Sequence, residues 1–134
     1  MDSGEFEKNL VKCLKSICSE FNIRRVSCRD LGGIDHGVYI VISDNDYIIG
    51  YSRNLNRKLR MYCLGQLDSH IVVRLLMSKL DNLPQGILSR VDVISRRHEL
   101  SNFIRGVVSS ARILIIKCQS MGDKELYSRL KGCF

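Results

Sequence analysis

Two strand-forming runs, Val38-Tyr39-Ile40-Val41-Ile42-Ser43 and Tyr47-Ile48-Ile49-Gly50-Tyr51-Ser52, are separated only by Asp44-Asn45-Asp46. No other feature of the chain restricts its fold as much. A short polar connector between two β-branched runs makes an antiparallel hairpin. The first run is apolar on both alternating phases, which predicts a central strand covered on both faces. A strand of that kind needs helices above and below it, and the rest of the chain supplies them.

Phe6, Leu10, Leu14, Ile17 and Phe21 recur at steps of three and four, predicting an amphipathic helix over 4–21. Asp2 and Glu5 are placed to form its capping box. Residues 23–28 read as a short strand, followed by the turn-rich segment DLGGIDHG. Leu55, Leu59, Tyr62 and Cys63 predict a helix over 54–64, with Ser52 or Asn54 as its cap. A more apolar helix follows over 69–80 and ends at Pro84 and Gly86. Residues 88–95 alternate as a strand with Val91 and Val93 on one face. Ser95 then caps a helix striped by Leu100, Phe103, Ile104, Val107 and Val108. A strand over 112–117 and a short helix marked by Leu126, Tyr127 and Leu130 complete the chain. This order predicts an α+β fold with a small mixed or antiparallel sheet flanked by helices. At about 150 residues per domain, 134 residues make a single domain, 1–134.

With 45% apolar and 26% charged residues the chain is not of the disordered type, and one proline excludes collagen-like and linker sequences. The longest unbroken apolar run is 38–42, far short of the ~20 residues that span a bilayer, so no membrane partner is expected. The start, MDSGEFEKNL, has no apolar leader segment. The expectation is an intracellular protein, cytoplasmic or nuclear and not secreted. In that setting the six cysteines read as structural thiols, with Cys18 and Cys63 on apolar phases as small core residues. The only close spacing, Cys13 to Cys18, lies inside a predicted helix, and His36, His70 and His98 are scattered. No zinc-ligand pattern results, and no metal or other cofactor is expected.

Charge is divided unevenly. Residues 1–52 hold six basic and eight acidic side chains, and residues 53–134 hold fifteen basic and six acidic. A balance of +9 in the second part points to an anionic partner, most commonly nucleic acid, DNA or RNA. Arg53, Arg57 and Arg60 are spaced by four and three residues, so they share a helix face, with Lys58 beside them. No acidic residue occurs from Tyr51 to Leu67. These four cations are the candidate nucleic-acid-binding residues, as phosphate contacts. The plain alternative is a solvated helix face.

The segment GVYIVISDNDYIIGYSRNLNRKLR resembles the GIY-YIG nuclease superfamily, in particular its branch in phages and large DNA viruses. Gly37-Val38-Tyr39 stands at the first motif and Ile48-Ile49-Gly50 at the second, and a basic amphipathic helix follows. The resemblance covers about 37–108. It leaves the N-terminal helix and strand, and the C-terminal strand and helix, as additions.

The family implies cleavage of a phosphodiester with a tyrosine, an arginine on the phosphate, and a glutamate holding one divalent metal, which acidifies bound water. Tyr39 fills the first tyrosine position. The second falls on Ile48, with Tyr47 one residue earlier. The arginine position falls on Lys58, which keeps the charge but loses the two-pronged phosphate geometry. The glutamate register, on the helix after the third strand, falls on Leu100. Glu99 is one residue off and turned by about 100°. Asp35, Asp46 or Asp92 would substitute only if the fold brought one of them to Tyr39.

The candidate catalytic set is therefore Tyr39, Tyr47 and Lys58, in degenerate form. The leading expectation is a catalytically impaired nuclease domain that binds nucleic acid, with a viral accessory role implied by the branch it resembles. One alternative is an active endonuclease using Mg2+ or Mn2+. Another is a protein-interaction module with a protein partner and no nucleic-acid role. Tyr39 and Tyr47 also have a reading as ordinary strand aromatics.

Overall fold

The computed structural model of the protein describes residues 3–43, 46–66, 69–78 and 97–134. The elements are α1 (Ser3–Ile17), β1 (Phe21–Val26), β2 (Gly37–Ser43), β3 (Asp46–Ser52), α2 (Leu55–Cys63), α3 (His70–Ser78), α4 (Arg97–Ser110), β4 (Arg112–Cys118) and α5 (Asp123–Lys131). The fold is α+β, as expected. The expected strand at 88–95, with Asp92, lies outside the described residues.

The four strands form one antiparallel sheet in the order β1-β4-β2-β3. Every residue of β2 is buried, which its two apolar phases require of a central strand. Its side chains alternate between two cores. Tyr39 and Val41 face Leu55, Leu59 and Tyr62 of α2, Ile71 and Leu75 of α3, and Ile104 of α4. Val38, Ile40 and Ile42 face Phe6, Leu10 and Leu14 of α1, and Leu126 and Leu130 of α5. A side chain such as Leu10 or Leu59, fully removed from water, contributes roughly 1.5–3 kcal/mol.

The strand read as a C-terminal addition lies at the centre of the sheet. β4 pairs β1 on one side and β2 on the other, and Ile113, Leu114, Ile115 and Ile116 are all buried. Its unbroken apolar run carries the same two-faced signal as β2. The N-terminal helix ends at Ile17, four residues before its expected end. Phe21 belongs to β1 in register with Cys118, so the apolar spacing that extended the helix includes the first strand residue.

The cysteines are not free thiols, contrary to the sequence expectation. They form three disulfides, Cys13–Cys133, Cys18–Cys118 and Cys28–Cys63, with Cα separations of 6.2, 6.2 and 5.6 Å. Two of the pairs are 120 and 100 residues apart in sequence. They meet because α1, β4 and the C-terminus converge on one face of the sheet, which local spacing does not reveal. Each such bond typically contributes on the order of 2–5 kcal/mol. Among the described residues, no helix is long and apolar enough to cross a membrane.

Candidate nucleic-acid interface

α2 owes its position to the loop before β2. The Leu55 amide donates to the Asp35 carbonyl at 3.0 Å, and Asn56 Nδ2 donates to the Leu31 carbonyl at 2.7 Å. Leu31 and Ile34 anchor the loop in the core, and Gly33 makes its turn at φ 74°. Asn54 is the N-cap position but makes no side-chain cap bond. Ser52 Oγ instead accepts from the Asn54 amide at 3.1 Å. With Leu55, Leu59 and Tyr62 buried, the opposite face of α2 is turned to solvent. Arg57 and Arg60 are exposed there, Arg53 is exposed just before the helix, and Lys58 is half-buried.

The described carboxylates that form ion pairs do so with other cations. Glu7 pairs with Arg25 at 2.6 Å and Arg112 at 3.2 Å. Asp123 pairs with His36 at 2.6 Å and Lys117 at 3.6 Å, and Glu125 with Arg129 at 3.0 Å. Among the described residues no carboxylate makes an ion pair with Arg53, Arg57, Lys58 or Arg60. Among the described residues, the cationic face of α2 is therefore without ion pairs.

Lys58 points along the helix toward Tyr39, with its Nζ 5.4 Å from the ring centroid. Arg74 of α3 reaches the same edge of the sheet and donates to the Ile49 carbonyl of β3 at 3.3 Å. Burial lowers the Lys58 pKa, and the charge of Arg74 lowers it further. The fold thus holds an ammonium group where it is partly desolvated and faces a like charge. Burial pushes the Tyr39 phenol up to about 12, against the opposing pull of Arg74. At neutral pH Tyr39 remains protonated, a hydrogen-bond donor and not a base.

Replacing Lys58 by Met tests this arrangement. A lysine with a lowered folded-state pKa costs stability while it is charged, and the cost fades as pH rises through that value. Thermal unfolding at neutral pH is expected to move upward in Lys58→Met, while affinity for a phosphate polymer falls. A residue that only supported the fold would move both downward.

The two candidate tyrosines are not brought together. Tyr47 is opposite Ile42 in the hairpin register, which places it on the other face from Tyr39. There it packs 4.8 Å from Phe6 and 5.6 Å from Phe134. Ile48, at the family's second tyrosine position, does share Tyr39's face, but it carries no hydroxyl. Tyr39 lies across Gly50, its register partner, so closely that a Cβ on Gly50 would come 2.3 Å from the Tyr39 hydroxyl oxygen. Asp35 is exposed and lends only its backbone to α2. The side chain of Glu99 falls outside the described residues.

A divalent metal, which the nuclease resemblance implies, does not fit these surroundings. Among the described residues, the charged groups at Tyr39 are the cations Lys58 and Arg74, and no three His, Cys, Asp or Glu side chains gather to hold a metal. Asp123 and Glu125 line a separate open groove with His36, Tyr51 and Arg53, where cations already pair them.

Sequence reasoning alone misses Arg74, although it has a signal, as the one charge inside the apolar run IVVRLLM. No protein-family model, curated protein or solved structure matches the chain.

Proposed function

We propose that this protein binds nucleic acid through the outer face of α2, with Arg53, Arg57 and Arg60 on the phosphate backbone and Lys58 and Arg74 at the edge beside Tyr39. The charge of that face, without an ion pair among the described residues, carries the reading. Glu7, Asp123 and Glu125 are each matched to cations elsewhere, while the α2 cations have no acidic ion-pair partner among the described residues. Contacts of this kind read the backbone and not the bases, so binding is expected to be largely sequence-independent and salt-sensitive.

The reading keeps the likeness to an impaired GIY-YIG nuclease. Tyr39 over Gly50 and a basic helix after the hairpin support it. The protonated phenol, and the absence of a carboxylate at Tyr39 among the described residues, support binding without cutting.

A salt series of binding to labelled single- and double-stranded DNA and RNA, with magnesium present and product length checked, separates these readings. Binding that weakens steeply with salt and leaves the strands intact supports the proposal. Shortened products would replace it with the nuclease. No binding at low salt would overturn it and turn the search to a protein partner.

A further inference from the structure

All six cysteines are paired. Six cysteines allow fifteen complete pairings, and this fold satisfies one of them at every position at once. Core filling does not account for that match. Cys28 and Cys133 are exposed, where packing gives no reason for cysteine, yet each sits against a less exposed partner. The bonds also join segments far apart along the chain. One ties α1 to the C-terminal residues, one ties the turn after α1 to the end of β4, and one ties the loop before β2 to the end of α2. Metal binding is not a competing explanation, since no group of three or more metal-ligating side chains forms among the described residues.

We infer that the working form of this protein is the three-disulfide form and that it matures in an oxidising compartment, not in the cytosol or nucleus. Reducing compartments keep such thiols open, and oxidising ones close them. Each bond forms as two thiols give up two protons and two electrons to the disulfide of an oxidoreductase or of oxidised glutathione. The donor disulfide leaves as two thiols. Closure of Cys28–Cys63 bears on the α2 face directly. It fixes the loop whose carbonyls at Leu31 and Asp35 hold Asn56 and Leu55.

The test is a thiol count on protein taken from producing cells by acid quench, denatured, and labelled with a polyethylene glycol maleimide. With the chain exported to an oxidising periplasm, no label is expected before reduction and six after it. The intact mass should lie about 6 Da below the all-thiol value, two hydrogens per bond. Cys28→Ser should expose one thiol, that of Cys63. A phosphine reductant should lower the melting temperature by about 10 °C or more. Six labels without reduction, or a melting temperature indifferent to the reductant, would overturn the inference. So would equal yields of folded, fully reduced protein from the cytosol. None of these readouts involves nucleic acid, so this inference and the binding proposal fail separately.

Discussion

Replacing Arg57 and Arg60 together by glutamate is expected to remove nucleic-acid binding at about 100 mM salt while leaving the fold intact. Both side chains are exposed and make no ion pair among the described residues, so the folded state loses nothing specific. Exposed substitutions of this kind usually change stability by no more than about 0.5 kcal/mol. A charge-assisted hydrogen bond contributes about 1.5–3 kcal/mol. Removing two of them costs about 3 kcal/mol or more, on the order of 100-fold in affinity. The reversed charges repel the same phosphates and add to that penalty. The slope of log affinity against log salt should also flatten by about 0.9 for each duplex phosphate that is no longer neutralised. Arg129→Glu with Lys131→Glu is the matched control, changing net charge equally on α5. A fluorescence anisotropy titration in which both pairs weaken binding equally would make it a matter of net charge alone. Unchanged affinity in the α2 pair would remove that helix from the interface.

Gly50→Ala is expected to destabilise the protein clearly, through a clash with a buried ring. The new carbon would lie 2.3 Å from the Tyr39 hydroxyl oxygen and 2.5 Å from Cζ. Tyr39 is 1% exposed and enclosed by α2 and α3, so its ring has little room to retreat. Overpacking of this kind costs about 1–3 kcal/mol, a fall in melting temperature of roughly 3–15 °C for a chain of this size. Tyr39→Phe should not relieve the clash, because Cζ remains. Tyr39→Leu removes the ring, so the double variant should recover part of the stability. A Gly50→Ala protein that melts with the wild type would show that the ring does not cover the glycine. The expected outcome also bears on the resemblance. An aromatic ring laid across a strand glycine is a packing device in its own right. Here it accounts for the Gly-x-Tyr and Ile-Ile-Gly residues whether or not the site ever acts on phosphate.

The hairpin, the helices and the basic face of α2 were legible because each rests on neighbours a few residues apart. Alternation at two and recurrence at three to four are local consequences of strand and helix geometry. Val38 to Ile42 announced a covered strand, and Leu55, Leu59 and Tyr62 announced which side of α2 would be buried. The absence of acids around Arg57 was equally visible in one dimension.

What the sequence left open depends on how distant segments meet. Only the tertiary structure places β4 between β1 and β2, because an antiparallel partner can come from anywhere in the chain. Only it sends Tyr47 to the opposite face from Tyr39, since one residue of register turns every strand side chain over. Arg74, Lys58 and Tyr39 share one edge of the sheet because two helices cross it there. Cys13 and Cys133 meet because both ends of the chain close on the same core, and no spacing rule spans 120 residues.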